Sequence, residues 1–276
     1  MQTAEALSYI RQALEFPSML WISVTGGEPF LYPEALSAIV EFASKEGLHT
    51  ECVINCFWAY SEDHAMKVLE PLARVGLDVL NISTDDFHQV QLTFEYVARA
   101  YRAARKLEIR PTIMCTVGRF SKLTAAAVIQ RLNDAGIHLL GGKPPKTVPS
   151  ALAVESGFLP LGRGAALDDR ELLLGAAPVE GPCDLVLSDI SITPEGNVMP
   201  CCAAASTIPG FAIGNASSTN LAVLLAMASE RKDLHILSQR GPRGLQSQKE
   251  PFIEAQYVNR CHLCYEIVSR LLSLDT

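Results

Sequence analysis

Met19-Leu20-Trp21-Ile22-Ser23-Val24-Thr25-Gly26-Gly27-Glu28-Pro29 reads as a strand that runs straight into a glycine turn. Its first six residues carry the aromatic and β-branched side chains that suit a pleated, half-buried surface. Two glycines then bring bare backbone close to whatever sits at the strand's carboxyl end, Glu28 adds a carboxylate, and Pro29 removes a donor and fixes the exit direction. Further β-rich runs follow at Glu51–Cys56, Asp78–Ser83, Arg110–Thr116 and Ile137–Leu140; counted from Met19, the starts lie 32, 27, 32 and 27 residues apart. That is the rhythm of repeated βα units, whose strands pair in parallel through right-handed crossovers. The segments between fit helices. Pro33 opens a turn before Leu36, Ile39, Val40 and Ala43, and Glu62 and Asp63 open one before Ala65, Leu69 and Leu72. Phe94, Val97, Ala98 and Tyr101 form a third apolar stripe, while Gly76 and Gly136 fall where helices stop.

The chain has 276 residues, 49% hydrophobic and 19% charged, with a formal net charge of −7. This is globular composition and excludes disorder, collagen and coiled coil. An acidic balance gives no footprint for nucleic acid or anionic lipid, so neither is expected as a partner. No apolar run reaches the length of a membrane span and no signal-peptide pattern opens the chain, so a cytoplasmic address is expected. A helix over Thr3–Leu14, with Leu7, Ile10 and Leu14 at helical spacing, comes first and has no strand before it. After about residue 165 the βα rhythm stops, which predicts domains over 1–165 and 166–276. The second begins in a small-residue connector and holds a turn at Thr193–Asn197, a helix near Asn220–Ser229, a loop over Ser238–Glu250 and five of the eight cysteines.

Two further motifs bear chemistry. On the third predicted strand Asn81, Ser83 and Asp85 alternate onto one face, aiming a hydroxyl and a carboxylate at the same end of the sheet as the glycine turn, where they suit the hydroxyls of a ribose. Asp86 and His88, just beyond, are candidates for proton transfer. The strongest signal is Cys183, twelve residues, Gly196, four residues and Cys201, followed much later by Cys261-His262-Leu263-Cys264. Four thiolates in this order can hold one metal centre; spacing alone admits zinc or an iron–sulfur cluster, and Cys202 is a possible substitute for Cys201. Cys52 and Cys56 lie on a predicted strand with no third thiolate after them, and read as buried core thiols.

Together these motifs resemble the radical S-adenosylmethionine (SAM) superfamily, in the form that carries a C-terminal SPASM or twitch-type auxiliary cluster domain. Gly26, Gly27, Glu28 and Pro29 match its GGE motif, which holds the amino end of SAM. Val53-Ile54-Asn55-Cys56 resembles the next strand, with Asn55 matching and Cys56 standing where the family has glycine. Ser83 and Asp85 match the Ser-x-Asp strand near the ribose, and Leu161-Gly162-Arg163-Gly164 is similar to the segment near the last barrel strand. The resemblance implies an α/β fold: an incomplete parallel (β/α)6 barrel, its first strand missing, followed by a small Cys-rich domain. It also implies SAM as cofactor, a 4Fe-4S auxiliary cluster on Cys183, Cys201, Cys261 and Cys264, a ribosomal peptide as substrate, and an electron donor as partner. One departure matters. The Cys-x3-Cys-x2-Cys loop that anchors the family's radical-generating cluster is absent from this chain. The expectation is therefore a chain without its true N-terminus; the rival is a degenerate homologue that keeps the metal centre as a non-catalytic binding or scaffold protein.

Overall fold

A computed structural model describes residues 1–141, 145, 148–246 and 256–274. In chain order the elements are α1 (Thr3–Ala13), β1 (Trp21–Val24), α2 (Pro33–Lys45), β2 (His49–Ile54), α3 (Glu62–Arg74), β3 (Val79–Ser83), α4 (Asp86–Gln89), α5 (Phe94–Lys106), β4 (Arg110–Val117), α6 (Ala125–Leu132), β5 (Ile137–Leu139) and β6 (Ala151–Gly157). Then come β7 (Ser191–Ile192), β8 (Asn197–Met199), β9 (Gly214–Asn215), α7 (Leu221–Ser229), α8 (Lys232–Arg240) and α9 (Arg260–Leu274). They fall into two compact units: residues 18–156, and residues 1–17 together with 157–276.

The 18–156 unit is α/β. Its six strands lie in the order β1-β2-β3-β4-β6-β5; β1–β2, β2–β3 and β3–β4 run parallel, as the βα rhythm predicts, and β5–β6, also parallel, adds a strand outside that rhythm. Because β1 to β4 are laid down in sequence order, right-handed crossovers carry their connecting helices over one face of the sheet. That face is apolar: Cys52, Ile54, Leu80, Ile82 and Ile113 share a core with Leu36 and Val40 of α2, Leu69 and Leu72 of α3, and Val97 and Ala104 of α5. Register gives the opposite face a different chemistry, with Ser23 beside Glu51 and Val53 beside Asn81 and Thr112. The sheet is open, with β1 and β5 at its edges.

At the amino end of this sheet a polar cluster joins α5 to the start of β5. Buried Tyr101 donates its hydroxyl to Asp134 Oδ2 at 2.6 Å, Arg105 Nε reaches the same oxygen at 3.2 Å, and the Gly136 amide donates to Oδ1 at 2.7 Å. The Tyr101 bond, first among these partners, lowers the Asp134 pKa. A carboxylate depressed in the folded state adds stability above its unfolded pKa, near 3.9, and loses it as pH falls through the lower folded value. Tyr101→Phe is therefore expected to cost about 1.5–3 kcal/mol at neutral pH, the range for a hydrogen bond to a charged group. The gap from the parent should narrow below about pH 4. Urea titrations at the two pH values check this, and an equal gap at both contradicts it.

The other unit gathers residues from both ends of the chain. Helix α1, expected to belong with the βα units over 1–165, instead clusters with residues 157–276. Its Tyr9 packs with Val198 and Leu224, and Gln12 Oε1 accepts the Leu221 amide at 2.8 Å. Strands β7, β8 and β9 form an antiparallel sheet whose first hairpin turns at Thr193–Asn197, with the Thr193 amide donating to the Asn197 carbonyl at 2.9 Å. Gly196 takes φ +85°, and a Cβ there would stand 2.9 Å from Asn215 Oδ1 and 3.0 Å from Tyr9 Oη, so both conformation and space require glycine. Helix α7 forms where expected, capped by Asn220. The segment read as loop from Ser238 is helical as far as Arg240 and has a further turn at Pro242–Leu245; residues 247–250 lie outside the described residues. Among the described residues, no helix is long and apolar enough to cross a membrane.

Candidate functional site

The 18–156 unit collects polar groups at the carboxyl ends of β1, β2 and β3, the end at which parallel α/β sheets build their sites. After β1, Gly26 and Gly27 take φ +90° and +63°, and a Cβ on either would meet nothing within 4 Å. The glycines are therefore required by backbone conformation, and the space beside them is free. Glu28 turns inward and is 8% exposed. Its Oε2 accepts the Asn55 amide at 2.8 Å and its Oε1 the Phe30 amide at 3.3 Å, clamping the turn after β1 to the end of β2. Burial raises the Glu28 pKa against the opposing pull of those two amides.

Asn55 closes its own turn, its Oδ1 accepting the Phe57 amide at 3.0 Å. Cys56, the position where the family resemblance has glycine, takes φ +69° and is fully buried. A side chain in this left-handed region costs about 1–2 kcal/mol, which glycine avoids. Burial, with the nearby Glu28 charge, pushes both Cys52 and Cys56 far up, so these thiols stay protonated.

At the end of β3 the expected pair separates. Ser83 stays half-buried on the polar face, in register with Met114. Asp85 is 2% exposed and caps α4, its Oδ1 accepting the His88 amide at 2.9 Å and meeting His88 Nδ1 at the same distance. The bond to Asp85 raises the His88 pKa, partly offset by burial. Asp86 braces the neighbouring loop by accepting the Lys122 amide at 2.6 Å and the Leu123 amide at 3.2 Å. The Asp85–His88 pairing escaped the sequence reading, although Asp followed three residues later by His after a strand is a helix-cap spacing that could have raised it.

In the other unit, five cysteines converge from three segments. Cys183 is held by its amide to the Leu237 carbonyl at 3.0 Å, and Ser191 Oγ donates to the Cys201 carbonyl at 3.0 Å. Arg260 ties the Cys183 approach to α9, donating to the Pro182 carbonyl and, at 2.6 Å, to the Glu180 carbonyl. Cys261 and Cys264 occupy the first two turns of α9, where a spacing of three sets them on one side. The thiols feel one another. Burial and the charges of Cys202, Cys183 and Cys261 push Cys201 up to about 11. Burial and the charges of Cys201, Cys183 and Cys261 push Cys264 up to about 12. Amides offset part of this, Ala203 toward Cys201 and Ala204 toward Cys261. Cys201 is buried and Cys202 exposed. Among the described residues no three His, Cys, Asp or Glu side chains stand as close as ligands of one ion. Zinc would require sulfurs about 3.8 Å apart, as tetrahedral bonds of 2.3 Å dictate.

No family model matches the chain, and no curated protein matches it.

Proposed function

We propose that the chain is a radical SAM-type protein in which the 18–156 unit binds S-adenosylmethionine and the cysteine unit holds one 4Fe-4S auxiliary cluster. The observation that carries this reading is the Gly26–Gly27 turn. It pairs positive-φ backbone and open space with a buried Glu28 that fixes the turn to Asn55 at the carboxyl end of the adjacent strand. Such a turn offers its carbonyls to a ligand ammonium, while Ser83, two strands away, offers a hydroxyl on the polar face. The thiol set supports the second half. Four thiolates are the donor set of a 4Fe-4S cluster, and backbone amides of Ala203 and Ala204 reach the sulfurs of Cys201 and Cys261, a feature that tunes such clusters.

When bound, the cluster supplies electron transfer or an iron atom for substrate ligation. The chain's own residues bind and orient. Glu28 keeps the glycine turn in place, Asn55 shapes the end of β2, and Ser83 meets the sugar. A ribosomal peptide is the substrate class the resemblance favours, with a separate electron donor as partner. The non-catalytic reading, a cluster-bearing binding protein, draws on one observation: this chain contains no Cys-x3-Cys-x2-Cys.

Calorimetry with SAM tests the binding half. Binding is expected for the parent chain and is expected to fall at least tenfold in Gly27→Val, where a β-branched side chain must take φ +63°. The reduced, reconstituted chain is expected to form no 5'-deoxyadenosine. Absence of binding by the parent overturns the proposal; sustained 5'-deoxyadenosine formation overturns the non-catalytic reading.

A further inference from the structure

The carboxyl end of β3 carries a buried carboxylate that aims an imidazole outward. Asp85 is 2% exposed, and its Oδ1 is occupied by two groups of one residue, the His88 amide and His88 Nδ1, both at 2.9 Å. The His88 side chain is 40% exposed. An ionised carboxylate only accepts hydrogen bonds, so Nδ1 carries the proton and Nε2 of the neutral ring is a bare acceptor pointed away from Asp85. The pair is rigidly based: Asp85 caps α4, and the Thr84 amide before it donates to the Met114 carbonyl at 2.9 Å. A buried acid that fixes the tautomer and aim of a histidine is the arrangement found behind proton-accepting histidines.

We propose that His88, aimed by Asp85, is the acceptor that receives a sugar hydroxyl of the bound nucleoside, the role expected of Asp85 itself. This rests on the SAM-binding reading above. Asp85 is almost wholly buried with its Oδ1 already occupied, whereas the His88 side chain is 40% exposed. Gly26–Gly27 and His88 follow strands two positions apart in the sheet, on the order of 10 Å, which suits an elongated ligand with its ammonium at the glycines and its sugar at β3.

The surrounding charge narrows the ligand class. Asp85 and Asp86 share the turn with His88, and Glu155 lies on β6; the charges of all three add to burial in pushing buried Cys115 of β4 up to about 12. Arg119 and Lys122 are exposed in the loop that Asp86 braces. With three carboxylates against two loop cations, a nucleoside carrying no phosphate is favoured over a nucleotide. Protonating His88 turns its acceptor into a donor and sets an imidazolium against the SAM sulfonium.

The experiment is calorimetry with SAM, adenosine and AMP from pH 5.5 to 8.5, joined to 15N imidazole NMR of the ligand-free chain. For the parent, SAM affinity is expected to weaken several-fold as pH falls through the His88 pKa, and AMP is expected to bind more weakly than adenosine. His88→Ala is expected to weaken SAM binding about tenfold, the equivalent of one hydrogen bond, and to flatten the pH profile. His88→Gln, which keeps an acceptor near Nε2, is expected to restore most of the affinity with a flat profile. Asp85→Asn is expected to lower the imidazole pKa seen by NMR. If the parent binds SAM but His88→Ala binds it equally with the parent's pH profile, this proposal fails and the SAM reading stands. If the parent binds no SAM, the SAM reading fails and takes this proposal with it. An imidazole pKa unmoved by Asp85→Asn removes the positioning role.

Discussion

Anaerobic reconstitution with iron and sulfide is expected to give a brown protein with broad visible absorption and about four irons and four sulfides per chain, the signature of one 4Fe-4S cluster. The expectation comes from thiols brought together by unrelated pieces of chain: the segment tied to Arg260, the hairpin strand leading into Cys201, and the opening of α9. Burial and neighbouring thiolates push Cys201, Cys261 and Cys264 upward, so holding a bare thiolate at these three positions is costly. Bound metal reverses that cost, because a coordinated thiol gives up its proton and neighbouring charge is neutralised. The double variant Cys261→Ala, Cys264→Ala removes both thiolates of α9 and is expected to abolish the colour. Cys202→Ser is expected to leave it, since Cys202 is exposed while Cys201 packs in the core. A colourless parent carrying one zinc overturns the cluster, and colour lost only in Cys202→Ser transfers the ligand role from Cys201 to Cys202.

Glu28→Ala is expected to destabilise the 18–156 unit by about 2–4 kcal/mol, because it leaves the Asn55 and Phe30 amides without their acceptor in a buried setting where each unmade bond costs about 1–3 kcal/mol. Against a total stability on the order of 5–15 kcal/mol this is a large share, and SAM binding is expected to be lost with it. Glu28→Gln keeps one carbonyl oxygen for Asn55 but faces Phe30 with a donor at one edge, so a smaller loss, about 1 kcal/mol, is expected. The pH dependence separates the two effects. A carboxyl whose folded pKa is raised contributes stability that is full below its unfolded value, near 4.3, and is lost as pH rises through the folded value. Parent stability should fall over that window, and Glu28→Gln should lack the fall. Denaturant melts of the three proteins at several pH values decide this; an Ala variant as stable as the parent means that the clamp contributes nothing.

Periodicity made the first five strands legible, because runs such as WISV and RPTIMCTV concentrate β-branched and aromatic residues between turn signals. Strand β6, ALAVESG, escaped for the opposite reason: two alanines, a serine and a glycine have weak strand preference, and its place is set by pairing with β5. Helix α1 was visible as a helix but not as a member of the C-terminal unit: the stripe of Leu7, Ile10 and Leu14 does not say which partner it meets, and the residues actually buried are Ala6, Tyr9 and Ile10. At the candidate site the glycine turn and the polar-face position of Ser83 could be read directly from the sequence, whereas Asn55 entered only through the family resemblance. The inward turn of Asp85 could not, because strand alternation extrapolated past Ser83 assigns it to the polar face, whereas capping α4 draws it in. The helical setting of Cys261 and Cys264 was hidden by the polar residues around them, Asn259, Arg260 and His262.

The split membership of α1 has a consequence for how the protein is made. Gln12 and the Leu221 amide it receives are 209 residues apart, and the whole 18–156 unit is threaded between them. During synthesis the βα unit can complete its parallel sheet as soon as residue 156 has emerged. Helix α1 must wait, its apolar stripe unsatisfied, until the ribosome has delivered α7. Domains generally fold as units while translation proceeds at about 5–20 residues per second, so that wait lasts on the order of ten seconds or more. Helix α1, translated before the 18–156 unit, thus finds its native partners only after that whole unit has been made.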